Sequence, residues 1–143
     1  IVDQISEFIL NNLILFAALV VVLVMLIKAE LDHQANKGLM LSATAAIRLI
    51  NNNDDTLIID TRSVAEYKAG HINNSKNIPL KEFAGELEKY SDHKNRPVLV
   101  YCNSGTTATR AIRMLKNAGF EKVNNLEGGI AAWKDASMPI TKK

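Results

Sequence analysis

A single cysteine lies where a short apolar run meets a small polar loop in this chain of 143 residues. The apolar run is 98–101, the cysteine is Cys102, and a helical pattern begins at about Ala108, after a loop that contains one glycine. Such a turn can direct several backbone N–H groups at one point, and the start of the following helix adds partial positive charge. We expect a thiol there to lose its proton more readily than a free thiol, and the thiolate is the reactive form. The pattern predicts a nucleophile that holds a transferable group, and the alternative is a buried structural cysteine at a strand end.

The apolar pattern around this loop alternates between short continuous runs and helical spacing. Ser42 can cap a helix, and residues 57–59 form a continuous apolar run that ends in Asp60. Continuous runs of that length are typical of strands buried on both faces of a parallel sheet. The pattern also predicts helices over 63–69, 80–90, 108–118 and 130–136, and strands over 98–101 and 123–126. This alternation predicts an α/β domain with a mainly parallel central sheet.

The N-terminal part of the chain is far more apolar than the rest. Residues 8–27 include no charged residue, and the apolar run is unbroken from 13 to 27. A helix of about 20 apolar residues crosses a bilayer and satisfies its own backbone polar groups. A cleavable signal peptide fits less well, because Asp3 and Glu7 precede the run without any Lys or Arg. Residues 8–27 are therefore predicted to be a transmembrane helix rather than a signal peptide or a buried core helix.

These features divide the chain into segments and suggest an orientation. We expect a flank at 1–7, the transmembrane helix at 8–27, a linker or helical extension at 28–40, a folded domain at 41–140 and a tail at 141–143. Lys28 and Lys37 follow the apolar run, which predicts a cytoplasmic C-terminal domain. The lipid bilayer is the expected partner of 8–27, and Asn11 and Asn12 leave open a membrane-protein partner.

Composition excludes several other functions. The chain carries 17 Lys and Arg against 15 Asp and Glu, a net charge of +2 without a clustered basic face, so no nucleic-acid partner is expected. The lone cysteine excludes an internal disulfide. No metal site is expected, because His33 has no ligand partners in its stretch, and no segment predicts a cofactor.

Six short segments together carry a family resemblance. They are Asp60-Thr-Arg62, Glu66-Tyr67, Gly70-His-Ile72, Asn77-Ile-Pro79, the cysteine loop, and Leu126-Glu-Gly-Gly-Ile130 with Trp133. Their order and spacing resemble a rhodanese-like domain over about residues 40 to 140. With the apolar helix, the layout is similar to single-pass, membrane-anchored rhodanese-like proteins of bacteria. The resemblance implies a three-layer α/β fold and a location in the cell inner membrane.

The resemblance also implies a sulfurtransferase. Cys102 matches the family's nucleophile and would carry a sulfane sulfur as a persulfide. The donor would be thiosulfate or another persulfide, and the acceptor a thiol or cyanide. The substrate-binding cradle would be the loop that follows, Asn103, Ser104, Gly105, Thr106 and Thr107.

The loop departs from the family pattern at one position. Many members have Arg five places after the cysteine, where this chain has Thr107. Arg62 and Arg110 are the candidates for supporting an anion instead, although a pair with Asp60 or a contact with a helix end is at least as good an alternative for Arg62. The missing loop charge weakens the prediction of thiosulfate as donor and leaves persulfide chemistry intact.

Two other function classes are considered. Cysteine phosphatases and arsenate reductases with a similar fold use Cys-x5-Arg, and position 108 here is Ala, which argues against that chemistry. A non-catalytic interaction module at the membrane is the second alternative, and the retained cysteine favours the enzyme.

Overall fold

A computed structural model describes residues 1–36 and 39–142 of the chain. The structure divides into two compact units, Ile1–Ala35 and Asn36–Lys143. Lys37, which contributed to the predicted orientation, residue 38 of the predicted linker and Lys143 of the predicted tail lie outside the described residues.

The N-terminal unit consists of two consecutive helices, α1 (Val2–Asn11) and α2 (Leu13–Asn36). They are separated at Asn12, whose side-chain amide donates to the Phe8 carbonyl at 2.9 Å and closes the end of α1. The stretch Leu13–Gln34 of α2 is exposed and is long and apolar enough to cross a membrane. The helix predicted over 8–27 differs at both ends: residues 8–11 belong to α1, and α2 does not stop at residue 27 but continues through the first part of the predicted linker. The helical extension is therefore the better description of that part.

The second unit is an α/β fold around five parallel strands, as predicted. The spatial order is β1-β5-β4-β2-β3, which places β4 at the centre. In chain order the elements are β1 (Leu39–Leu41), α3 (Ala43–Asn52), β2 (Leu57–Asp60), α4 (Val64–Ala69), β3 (Lys76–Asn77), a 3-10 turn (Leu80–Glu82), α5 (Phe83–Glu86), a second 3-10 segment (Leu87–His93), β4 (Val98–Tyr101), α6 (Ala108–Asn117), β5 (Val123–Leu126) and α7 (Gly129–Asp135).

Three elements differ from the prediction. Strands β1 and β3 were not predicted: β1 forms one sheet edge by pairing Leu41 with Leu126 of β5, and the two-residue β3 forms the other edge by pairing with β2. The helix predicted over 80–90 is instead a short α-helix between two 3-10 segments. Gly85 lies inside it and lowers helix propensity, and Tyr90 has non-helical angles of φ −111° and ψ 18°.

The sheet separates two apolar cores, which makes the fold three-layered. Alternate residues of β4 supply opposite faces: Val98 and Val100 pack with α5 and α6, while Leu99 and Tyr101 pack with α3 and α7. All four residues of β4 are buried, as expected for a central parallel strand. At the end of the chain, Thr141 pairs with the backbone of His71, with N···O distances of 2.7 and 2.9 Å. The fold thus brings the carboxyl end of β4 between the ends of β2 and β5, where open α/β sheets place their sites.

Candidate active site

Cys102 directly follows the central strand β4. The residue is only 3% exposed, and its Sγ accepts a hydrogen bond from the backbone N–H of Gly105 at 2.9 Å. An amide directed at the sulfur stabilises negative charge there, on the thiolate or on an added sulfur. The sulfur is therefore enclosed by a loop that directs a backbone N–H at it.

The loop between Cys102 and α6 turns tightly around that sulfur. Gly105 is buried and has φ +98°, a backbone conformation that residues other than glycine rarely adopt. Ser104 Oγ and Thr106 Oγ1 lie 3.0 Å apart and share a hydrogen bond. Four of the five residues predicted as the cradle are exposed and polar: Asn103, Ser104, Thr106 and Thr107. The loop thus exposes four polar residues and directs the N–H of its one buried glycine at the sulfur.

The start of α7 supports the loop from behind. The N–H of Ile130 donates to the Cys102 carbonyl at 2.9 Å, and the N–H of Ala131 donates to the Asn103 carbonyl at 3.3 Å. Gly129 makes this approach possible, since a Cβ there would overlap the Cys102 carbonyl oxygen. These bonds fix the backbone on the side of the loop that carries Cys102.

Asn125 of β5 is a loop contact that sequence analysis missed. Its side-chain amide, 1% exposed, donates to the Gly105 carbonyl at 3.4 Å, and its Oδ1 has no hydrogen-bond partner among the described residues. The available signal was the Asn124-Asn125 pair inside a short strand, where buried amides need partners.

Arg62 forms an ion pair with Asp60, which is the alternative to the predicted support of an anion. Its guanidinium binds the Asp60 carboxylate, with Nη2 at 2.7 Å from Oδ2, and Nη2 also donates to the Gly70 carbonyl at 2.7 Å. Both side chains are buried. Burial is the largest single influence on the pKa of Arg62 and lowers it, but the hydrogen bond and charge of Asp60, with further contributions from Tyr101, together raise that pKa above its ordinary value. The structure therefore uses this cation to neutralise Asp60, whereas Arg110 is exposed on the first turn of α6.

Glu66 of α4 is a second contact that sequence analysis did not assign to the site. Its Oε1 accepts from the Asn103 side chain at 2.7 Å, and its Oε2 accepts from the backbone N–H of Ser63 at 3.0 Å in a capping box. The Asn103 hydrogen bond, followed by those from Ser63, lowers the pKa of Glu66 below its ordinary value. A carboxylate is thus hydrogen-bonded to the residue next to Cys102.

Three further residues have structural roles. His71 stacks on Tyr67 with ring centroids 3.8 Å apart, and its Nδ1 lies 2.8 Å from the Tyr67 carbonyl. Trp133 is in the core and donates to the Pro139 carbonyl at 2.9 Å.

Within residues 1–36 and 39–142, no group of three His, Cys, Asp or Glu side chains is placed to hold a metal ion.

Comparison with known sequences identifies the family. The family model described as the Rhodanese-like domain matches residues 42–136, which span the sheet from α3 onward, the cysteine loop and α7. The chain belongs to the rhodanese-like domain family. The rhodanese-like domain thus includes every contact of Cys102 described above.

Relatives of this rhodanese-like protein include chains of similar length. An uncharacterized protein of Escherichia coli K12, YibN, is 31% identical over 144 residues and 98% of each chain is covered. An uncharacterized protein of Buchnera aphidicola is 33% identical over 106 residues, 73% of each chain. A tRNA uridine(34) hydroxylase of Escherichia fergusonii is 36% identical over 114 residues, which are 74% of this chain and 32% of the hydroxylase.

Solved structures share the fold of the rhodanese-like domain. A rhodanese-like domain from Anabaena superposes with a TM-score of 0.65 at 30% identity and covers 73% of this chain and 79% of its own. A thiosulfate sulfurtransferase of Pseudomonas aeruginosa superposes with a TM-score of 0.68 at 23% identity, over 79% of this chain and 22% of its own. At that identity the second comparison supports the fold.

Proposed function

We propose that this rhodanese-like protein is a sulfurtransferase that carries a sulfane sulfur as a persulfide on Cys102. The observation that supports the proposal most is the Gly105 N–H at 2.9 Å from Cys102 Sγ, in a loop whose other four residues are polar and exposed. The other loop residues, Asn103, Ser104, Thr106 and Thr107, are exposed where a donor would enter.

The reaction proceeds in two balanced steps. The Cys102 thiolate attacks the outer sulfur of the donor, a new S–S bond forms, and the donor's S–S bond breaks. The leaving group departs with the electron pair, as sulfite from thiosulfate or as a thiolate from a persulfide. With mercaptopyruvate the bond that breaks is C–S, and the leaving group is the enolate of pyruvate, which takes up a proton. An acceptor thiolate then attacks the outer sulfur of the Cys102 persulfide and releases the cysteine as a thiolate.

The loop lowers the barrier by holding charge on sulfur. The Gly105 amide is already directed at the cysteine, so it stabilises negative charge without reorganisation when the thiolate or persulfide forms. The Asn125 and Ile130 bonds to the loop carbonyls hold this geometry in place.

Phosphatase or arsenate reductase chemistry has less support. The position that would carry the guanidinium of Cys-x5-Arg is Ala108, which is fully buried in the core shared with α6 and β4. An oxyanion bound above Cys102 would therefore lack the bidentate cation that this chemistry uses.

Mass spectrometry tests the proposal directly. The purified protein is incubated with thiosulfate, mercaptopyruvate or a protein persulfide, and a mass increase of one sulfur atom on Cys102 is expected. Cys102→Ser keeps the size of the side chain and should show no increase. Wild-type protein that takes up no sulfur from any of the three donors would contradict the enzyme and favour the interaction module.

We also propose that α2 holds the domain at the inner membrane with its C-terminal unit in the cytoplasm. The exposed apolar surface of α2 supports this arrangement, as does Lys28, which follows the apolar run within that helix. Alignment with the E. coli relative extends over the N-terminal helices as well as the domain. Reporter fusions to the C-terminus decide the orientation, and a fusion active only outside the cytoplasm would overturn it.

A further inference from the structure

Three charged side chains lie together at the junction of β2 and α4, beside the cysteine loop. Asp60 and Arg62 neutralise each other in a buried pair, with 0% and 5% of their side chains exposed. Glu66 has no equivalent cation bound to it in the described hydrogen bonds, because its partners are Asn103 and Ser63. The three groups together therefore leave one negative charge at this edge of the loop.

Both oxygens of Glu66 are fixed. Oε1 accepts from Asn103 at 2.7 Å, and Oε2 accepts from the Ser63 N–H at 3.0 Å and the Ser63 hydroxyl at 2.8 Å. These bonds keep the carboxylate ionised at neutral pH, since they favour the charged form. The charge is thus held against the side chain of Asn103, the residue after Cys102, beside a loop whose own residues are all uncharged.

We infer that Glu66 sets the charge preference for the sulfur donor, so that the site favours donors with at most one negative charge over the thiosulfate dianion. This inference rests on the proposed function. Carriers of this class include thiosulfonates, which are monoanions, and persulfide sulfur borne on a larger thiol. A negative charge repels a dianion twice as strongly as a monoanion in the same position, so the preference follows from Coulomb's law.

Two donors that deliver the same sulfur test the charge alone. Thiosulfate has two negative charges and releases sulfite when the Cys102 thiolate takes its outer sulfur. Methanethiosulfonate has one negative charge and releases methanesulfinate in the same displacement. In each case one S–S bond forms at Cys102, one S–S bond breaks in the donor, and the leaving group keeps the electron pair.

Glu66→Gln removes the charge at nearly unchanged size and can keep one of the two sets of hydrogen bonds. Glutamine also completes a capping box at this position, and its side-chain oxygen can still accept from Asn103 or Ser63. The matched control is Glu88→Gln, an exposed carboxylate in the segment Leu87–His93. Arg110→Gln is the variant of opposite sign, because that exposed cation follows the loop on α6.

The expected change is a rise in kcat/KM of about two- to fivefold for thiosulfate in Glu66→Gln at low salt, as for a unit charge roughly 10 Å from a dianion. For methanethiosulfonate the rise should be about the square root of that factor, since the donor carries half the charge. Both effects should shrink at high ionic strength, Glu88→Gln should leave both donors unchanged, and Arg110→Gln should lower kcat/KM for thiosulfate.

Separate outcomes overturn the two proposals. Equal effects of Glu66→Gln on the two donors, or no effect on either at low salt, would overturn the charge preference while leaving sulfur transfer intact. If wild-type Cys102 accepts sulfur from neither donor nor from a protein persulfide, the proposed function fails and this inference fails with it.

Discussion

The backbone of Gly129 lies directly against the carbonyl group of Cys102. A Cβ at this position would overlap the Cys102 carbonyl oxygen and come within 2.6 Å of the Asn103 carbonyl, and the residue has φ +61°. We predict that Gly129→Ala lowers the free energy of unfolding by about 1–3 kcal/mol, because it combines backbone overlap with an unfavourable conformation. Urea unfolding measures the loss, and persulfide formation on Cys102 should fall with it, because the loop must shift.

Gly85 provides the matched control for that substitution. Nothing lies within 4 Å of a Cβ built at Gly85, which is inside α5. Gly85→Ala should leave stability unchanged or raise it by up to about 1 kcal/mol, since Ala is favoured over Gly in a helix. Equal effects of the two substitutions would contradict the close approach of α7 to the cysteine loop.

Asn125 is predicted to position the Gly105 amide. Asn125→Ala removes the donor to the Gly105 carbonyl and should slow persulfide formation by about tenfold, because a small displacement of the loop misdirects the amide. The substitution should change kcat rather than KM, because Asn125 is buried and would not contact the sulfur donor.

Asn124 is the comparison for Asn125. Its side chain donates to the Val98 carbonyl at 3.2 Å, at the other end of β4. Asn124→Ala should reduce stability in urea unfolding without changing kcat. If both Asn124→Ala and Asn125→Ala reduce stability and neither changes kcat, Asn125 has no positioning role.

The Asp60–Arg62 pair is predicted to stabilise the fold rather than bind the donor. Arg62→Met leaves a buried carboxylate without its cation and should cost about 3–5 kcal/mol of unfolding free energy. The double variant with Asp60→Asn should cost less than the sum of the single variants, because the unpaired charge is then absent. A stable Arg62→Met protein with a raised KM for thiosulfate would restore the anion-support role.

Glu66 predicts a dependence of stability on acidic pH. Its pKa is lowered in the folded protein by Asn103 and Ser63, so the stabilisation is complete above the ordinary value of 4.5 and is lost as pH falls through the lower folded value. In urea unfolding across that range, the wild-type protein should lose more stability on acidification than Glu66→Gln does. Parallel pH profiles would show that the carboxylate does not bind the loop in solution.

Thr107 predicts a gain of function. Its side chain makes no capping hydrogen bond at the start of α6, so Thr107→Arg removes no bond there. A guanidinium in the loop should lower KM for thiosulfate and have a smaller effect for methanethiosulfonate. Steady-state kinetics with the two donors checks this, with Thr107→Gln as the uncharged control, and equal changes for both variants would exclude a charge effect.

The sequence alone predicted the features that depend on local chemistry and periodicity. Continuous apolar runs indicated strands buried on both faces, helical spacing indicated α6, and the uncharged stretch indicated the helix that can cross a membrane. The order of small motifs indicated the rhodanese-like family, and the turn after β4 indicated where Cys102 would lie. These features can be recognised from sequence because they depend on residues that are close together in the chain and belong to the same helix, strand or turn.

Contacts between distant segments required the tertiary structure. Strand β1 has three residues and becomes recognisable only through its pairing with β5. Asn103 and Glu66 are 37 residues apart, and Asn125 and Gly105 are 20 apart, so no local pattern links them. The sequence allowed Arg62 either to support an anion or to pair with Asp60, and the structure shows it buried against Asp60. In each case the order of the strands decides which side chains meet, and that order depends on how the whole sheet packs its two faces.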